Sequence, residues 1–146
     1  MSDPDPNTIR QILAELRDVN KERRRTAVMK LGMIGGDQAV RALIHTLQND
    51  YEDLIVRGRA ALMLGKLGDH RAVDTLIKAL DAPGHQTPLY AAEALGKIGD
   101  PRAIEPLVSM ASTGRDKTRD TALEALQRLG YDMNTEEETT PQPEAQ

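Results

Sequence analysis

The chain has 146 residues, no cysteine and a net charge of −4. Five of its acidic residues follow Gly130, where there is no Lys or Arg, so the rest of the chain has a net charge of about +1. Its three aromatic residues are all tyrosines. Because nucleic-acid binding needs a basic surface and aromatic stacking platforms, we expect no nucleic-acid partner.

The absence of cysteine excludes a disulfide framework and a Cys-based zinc site. We therefore expect the protein to be located in the cytoplasm. The first residues, MSDPDPNT, show no basic segment followed by an apolar run. No stretch reaches the ~18 apolar residues of a membrane span. We therefore expect neither a targeting signal nor a membrane anchor.

One sequence block occurs four times without a gap. The copies read RRRTAVMKLGMIGG from Arg23, VRGRAALMLGKLGD from Val56, TPLYAAEALGKIGD from Thr87 and TRDTALEALQRLGY from Thr118. Self-similarity at this period is typical of a solenoid. A solenoid needs about three repeats to be stable, and four are present.

An apolar quartet with the helical spacing i, i+3, i+4, i+7 precedes each block. The quartets are Ile9, Ile12, Leu13, Leu16; Val40, Leu43, Ile44, Leu47; Val73, Leu76, Ile77, Leu80; and Ile104, Leu107, Val108, Ala111. Each quartet predicts a first helix and each block a second helix. The predicted pairs are 8–17 with 21–33, 38–48 with 54–66, 70–81 with 87–97, and 102–112 with 117–129. The fold predicted is an all-α, right-handed solenoid of four hairpins.

Residues that favour helix ends support these boundaries. A glycine ends each second helix, in a place that suits the left-handed conformation: Gly35, Gly68, Gly99 and Gly130. Thr87 before Pro88, and Asp100 before Pro101, read as helix N-caps. Pro106 removes one helical hydrogen bond, so its helix should bend or begin properly only near Ile104.

The predicted domains are an arm over residues 1–7, repeats over about 8–35, 36–68, 69–99 and 100–130, and an acidic tail over 131–146. The tail lacks apolar periodicity, and we expect it to be disordered. One column of the second helices contains only alanine, which lets neighbouring helices approach closely: Ala27, Ala60, Ala91 and Ala122. The second hairpin has two extra residues near Tyr51 between its helices.

The pattern R-x-x-A-A-x-A-L-G-x-I-G-D followed by R-A-V-x-x-L-I-x-x-L resembles the HEAT-like repeats of the phycobilisome-lyase type, most closely over 57–80 and 88–108. The resemblance covers about residues 8–130 and specifies the fold, not the function. Proteins of this type include bilin lyase subunits, phycobilisome-degradation factors, a di-iron hydroxylase of deoxyhypusine and protein-binding scaffolds.

The hydroxylase can be tested residue by residue. That family places His-Glu directly after the Arg of the second helix, where the pairs bind iron. The corresponding pairs here are Arg25-Thr26, Gly58-Arg59, Leu89-Tyr90 and Asp120-Thr121. None keeps a histidine, so the resemblance implies no di-iron site. His45, His70 and His85 fall in unrelated columns, and no nucleophile or phosphate-binding motif occurs. We expect no enzyme activity, metal or cofactor.

In the resembling family the variable arc of the second helices lines a concave groove. A helix face in water should be polar, yet here it carries several apolar residues among basic ones, as in a protein contact surface. The predicted partner-binding residues are Arg25, Met29, Met33, Leu54, Ile55, Arg59, Leu62, Lys66, Leu89, Tyr90, Glu93 and Lys97. Alternatively, some of these residues pack between repeats, and the lysines form an ordinary solvated helix face.

An arginine column and one glycine of the second helices each have a structural explanation besides partner binding. Arg24, Arg57 and Arg119 recur in one column, which favours bonds to neighbouring carbonyls or acids over ligand binding. Gly58 either admits a partner's backbone or is simply tolerated in its helix.

The sequence predicts a protein-binding scaffold that is a monomer or a weak homo-oligomer. The alternative is a bilin lyase or isomerase-type subunit, or a phycobilisome-associated factor, whose basic residues would hold the propionates of a linear tetrapyrrole.

Overall fold

The structure, a computed structural model, describes residues 4–133, which contain eight α-helices and no strand. The helices are α1 (Pro6–Glu15), α2 (Lys21–Ile34), α3 (Asp37–Gln48), α4 (Leu54–Leu67), α5 (Val73–Ala79), α6 (Gln86–Ile98), α7 (Ile104–Thr113) and α8 (Asp116–Arg128). They form four hairpins, each a first helix followed by a second. None of these eight helices combines the length and the hydrophobicity that a membrane-spanning segment requires.

Aspartate side chains set the entry to the third and fourth hairpins. Asp69 and Asp100 accept hydrogen bonds from the backbone N–H groups of Arg71 and Arg102, and each opens a 3₁₀ turn. α5 and α7 begin only after these turns. The predicted late start at Ile104 is therefore confirmed, and Pro106 falls in the first turn of α7, where a missing N–H costs little.

The predicted N-cap at Thr87 is wrong. α6 begins one residue earlier, at Gln86, and Thr87 lies inside its first turn with its side chain buried. The Thr87 hydroxyl is 3.5 Å from the carbonyl oxygen of Leu54, across the contact with α4. A tertiary contact therefore occupies the hydroxyl that the sequence assigned to a local cap.

The core runs along the stack, where each first helix buries part of its apolar quartet against its second helix. The second helices α2, α4, α6 and α8 pack against one another in chain order. The alanine column is completely buried at all four positions, which confirms its predicted role in close helix packing. Three glycines that follow a leucine, Gly32, Gly65 and Gly96, lie at the same helix crossings.

The solenoid extends slightly beyond its predicted bounds. α1 begins at Pro6, inside the predicted arm. Tyr131 and Met133, which were assigned to the tail, are half-buried against the core, and the Tyr131 N–H donates to the Leu126 carbonyl. The predicted disorder of the remaining tail concerns residues 134–146, which lie outside the described residues.

Candidate protein interface

Three large apolar side chains project from the second helices into solvent. Met33, at the end of α2, is 74% exposed, and Leu54 and Ile55, in the first turn of α4, are 48% and 43% exposed. They lie at opposite ends of two adjacent helices. Together with Met29, Arg59, Leu62, Lys66, Tyr90, Glu93 and Lys97 they define what we call the second-helix face.

The middle of the second-helix face is half-buried. Met29 on α2, Leu62 on α4 and Tyr90 on α6 pack against the core and keep part of their surface open. The Tyr90 ring lies beside Gly58, where a β-carbon would be 3.5 Å from it. Since α2, α4 and α6 are neighbours, these three side chains form a strip across the helices.

Exposed lysines border this strip. Lys66 and Lys97 lie in the last turns of α4 and α6, and Arg128 lies in the last turn of α8. Within residues 4–133 none of the three forms an ion pair. A cation at a helix C-terminus interacts favourably with the helix dipole. The three charges remain available to a carboxylate.

Arg25 does not present its charge to a partner. Its Nε is 2.8 Å and its Nη2 3.0 Å from the two carboxylate oxygens of Asp53, in a bidentate pair, and its Nη1 is 2.8 Å from Glu22. Only 14% of its side chain is exposed. The Arg25 guanidinium lowers the pKa of Asp53 from 3.8 to about 2. Arg25 therefore joins the first two hairpins.

Two other positions are also covered. Leu89 is 5% exposed, so it leaves the set of residues that can face a partner. Gly58 is buried under Gln86, Thr87 and Tyr90 of α6, so it does not open onto a groove. Gly58 faces the neighbouring second helix because α4 and α6 pack against each other.

Two members of the arginine column bond backbone carbonyls. Arg24 donates to the carbonyls of Asp18 and Val19 and pairs with both oxygens of Glu52. Arg57, nearly buried, donates to the carbonyl of Leu47, while its Nη1 has no hydrogen-bond partner. For Arg24 and Arg57 the structural reading of this column is confirmed.

Sequence reasoning missed a cleft on the other side of the molecule. A cavity of about 840 Å³ lies between α1 and α3 and is bounded by the loops 16–20 and 49–53. Val19 and Tyr51, which line it, are 97% and 99% exposed. The one available signal was the pair of extra residues near Tyr51, which lengthens this loop.

The histidines lie apart from one another. His70 is 3.2 Å from Asp100 and largely exposed, whereas His45 lines the cleft and His85 precedes α6. The Asp100 carboxyl has a pKa far below its usual range, because Arg102 and then His70 bond to it. In the described part of the chain no three His, Asp or Glu side chains are grouped to ligate a metal ion.

The comparisons with known proteins agree with this architecture. The family of HEAT repeats matches residues 7–87, more than half of the chain. The chain belongs to the HEAT-repeat family. The PBS lyase HEAT-like repeat matches residues 88–113, so the resemblance inferred from the sequence is confirmed. None of the curated proteins that were compared matches the chain.

Solved structures show the same HEAT solenoid. A chain of the complex of CpcE and CpcF of phycocyanin lyase from Nostoc sp. PCC7120 is 29% identical, with a TM-score of 0.72 over 88% of this chain and 56% of that chain. Human deoxyhypusine hydroxylase is 25% identical, with a TM-score of 0.71 over 95% of this chain and 48% of that chain.

An engineered protein shares the fold at 20% identity, with a TM-score of 0.64 over 84% of this chain and 62% of that chain. This HEAT-repeat chain therefore spans about half the length of the two natural proteins and less than two thirds of the engineered one.

Proposed function

We propose that this HEAT-repeat chain is a non-catalytic scaffold that binds a protein partner through the second-helix face, on the concave side of the solenoid. The observation that carries the proposal is the exposure of Met33, Leu54 and Ile55 beside a strip of half-buried apolar side chains. Burying such side chains against a partner contributes about 1.5–3 kcal/mol for each one fully covered. Methionine adapts its shape to the surface that it meets.

The charges of this face favour a partner with carboxylates. Lys66, Lys97 and Arg128 lie at the ends of successive second helices, which pack about 8–10 Å apart. Glu93 and Glu124 reduce the positive charge toward the C-terminal hairpins. We infer a partner segment with apolar anchors over the first two hairpins and acidic residues along the row of cations.

The test places carboxylates on the exposed apolar positions. Met33→Glu combined with Ile55→Glu should abolish capture of the partner, while the circular dichroism spectrum and the melting temperature change little. Leu62 and Tyr90 are less suitable positions, because both pack against the core and their replacement also lowers stability. The partner is identified by affinity capture from the source organism followed by mass spectrometry, and is then purified and titrated against each variant.

Ser109→Glu combined with Ser112→Glu is the matched control, since it adds the same two charges to exposed positions of α7. This control should bind the partner normally. If the Met33 and Ile55 variant, still folded, bound as well as the control, the second-helix face would not be the binding surface.

A second candidate function is supported by the similarity to phycocyanin lyase and to the PBS lyase repeat. In this case the chain would be a bilin lyase or isomerase-type subunit, or a phycobilisome-associated factor, with Arg59, Lys66 and Lys97 holding the propionates of a linear tetrapyrrole. The purified chain is mixed with a bilin and its acceptor protein. Visible absorbance that co-purifies with the chain favours this function, and a colourless chain that retains its protein partner favours the scaffold.

The scaffold proposal includes an assembly and a location. We propose a monomer or a weak homo-oligomer in the cytoplasm, with a protein partner and no nucleic acid. The similar phycocyanin lyase structure is itself a complex of two proteins. Sedimentation at several concentrations, with and without the captured partner, tests the assembly.

A further inference from the structure

The cleft between α1 and α3, which we call the N-terminal groove, lies outside the second-helix face. Its apolar lining consists of Leu13 of α1, Leu16 just after α1 and Ala42 of α3, and Val19 and Tyr51 lie at its rim. Its volume of about 840 Å³ is comparable to that of specific binding pockets. The groove is open along one side, so it suits an elongated occupant rather than an enclosed small molecule.

The most exposed large apolar side chains of residues 4–133 fall into two groups. Met33, Leu54 and Ile55 belong to the second-helix face, whereas Val19 and Tyr51 belong to the N-terminal groove. Val19 and Tyr51 are almost completely in water and contribute nothing to the core. A tyrosine offers a large apolar surface with a polar tip, which suits a protein contact.

Arg24 connects the two loops that carry these residues. Its guanidinium donates to the Val19 carbonyl at 3.0 Å and bonds the Glu52 carboxylate, next to Tyr51, at 3.0–3.2 Å. The Tyr51 N–H donates to the Asn49 side chain at 3.0 Å. The backbone on both sides of the groove is therefore held in place, and a partner would lose little entropy in ordering it.

The unpaired charge of the groove is positive. Its two acids are already bound, Asp18 by Arg23 and Glu52 by Arg24. Arg17 lines the groove and forms no ion pair within residues 4–133.

Arg41, on the opposite wall, pairs with Asp37, which also binds Arg71, and Arg71 in turn binds Asp69. The groove therefore attracts carboxylates and disfavours an occupant with basic residues.

We propose that the N-terminal groove binds an amphipathic acidic helix of a second protein. Its apolar residues pack between Val19 and Tyr51 against Leu13 and Leu16, and its carboxylates face Arg17 and Arg41. A helix fits because the groove runs between two helices, whose ridges and grooves receive a third. With the second-helix face, this surface makes the chain an adaptor that holds two proteins.

The test selects ligands without assuming their sequence. A displayed library of randomised helical peptides is panned against the immobilised full chain, and enriched peptides are titrated by fluorescence polarisation. Tyr51→Ala and Arg17→Glu test the groove, and both positions are exposed, so folding is unaffected. Arg10→Glu is the matched control, because it reverses the same charge at an exposed position of α1 outside the groove.

The expected peptides carry an apolar stripe at i, i+3, i+4, i+7 flanked by Asp or Glu. Tyr51→Ala should weaken their binding at least about tenfold and Arg17→Glu about five- to tenfold, while Arg10→Glu has no effect. The Met33→Glu, Ile55→Glu variant should bind them normally, which separates this groove from the second-helix face. The proposal is overturned if no peptide is enriched, if enriched peptides are basic, or if their binding ignores Tyr51 and Arg17.

Discussion

Gly65 on α4 lies directly against Ala94 on α6. A β-carbon on Gly65 would come within 2.7 Å of the Ala94 Cα, closer than such atoms approach in real proteins, and neither helix backbone can yield easily. Gly65→Ala should therefore lower the free energy of unfolding by about 1–3 kcal/mol, as overpacking does in cores. Urea unfolding followed by circular dichroism measures this loss.

Gly58, about two turns earlier on α4, is the control for that substitution. A β-carbon there would meet its nearest neighbours, in Thr87 and Tyr90, at 3.5 Å, an ordinary contact distance. Gly58→Ala should raise stability by up to about 1 kcal/mol, because alanine favours a helix over glycine. Equal losses of stability in Gly65→Ala and Gly58→Ala would show that α4 and α6 do not cross as they do in this structure.

Arg25 and Asp53 should make the stability depend on pH in acid. The pKa of the Asp53 carboxyl falls from 3.8 to about 2 on folding, chiefly because Arg25 bonds to it. The contribution of this ion pair to the free energy of unfolding is therefore complete above about pH 4 and is lost as the pH falls toward 2. Asp53→Asn keeps an acceptor for the α4 cap but should reduce the decline of stability over this interval.

The decline should not vanish in that variant. Arginine contacts also lower the pKa of Asp37, Asp69 and Asp100, and the Asn20 N–H lowers that of Asp18. Urea midpoints measured from pH 5 to about pH 2 test the expectation. Identical slopes in wild type and Asp53→Asn would contradict the role assigned to the Arg25–Asp53 pair.

Arg24 and Arg57 occupy equivalent positions but should respond differently to replacement by methionine. Removing Arg24 leaves the largely buried Glu52 without its charged partner and frees two loop carbonyls. Removing Arg57 frees the Leu47 carbonyl and the carboxylate of Asp50, which is exposed to water. Because an unpaired buried charge costs more than one lost hydrogen bond, Arg24→Met should be the more destabilising by at least about 1 kcal/mol. Thermal melts of the two variants decide the order, and the reverse order would contradict the observed contacts.

The helices were predictable because their signals are local. The apolar quartets, the glycines at the ends of second helices and Asp100 before Pro101 each act within a few residues, and the observed bounds agree within a few positions. Thr87 was assigned wrongly for the opposite reason. Its hydroxyl lies against the Leu54 carbonyl, 33 residues away in the chain, and a local pattern carries no information about such a contact.

The candidate interface was predictable only in part. The helical period correctly placed Met33, Lys66 and Lys97 on an exposed face, but it could not show that Leu89 is buried or that Asp53 binds Arg25. The N-terminal groove could not be predicted from the helical period, since its walls belong to different hairpins.

The amino-acid sequence by itself determined the number of hairpins, their order and the small residues at their crossings, because periodicity and turn residues act along the chain. Only the tertiary structure decided which exposed side chains remain open to a partner. That outcome depends on how closely α4 approaches α6 and on how α1 packs beside α3. These distances are set by packing between repeats, where side chains remote in sequence meet.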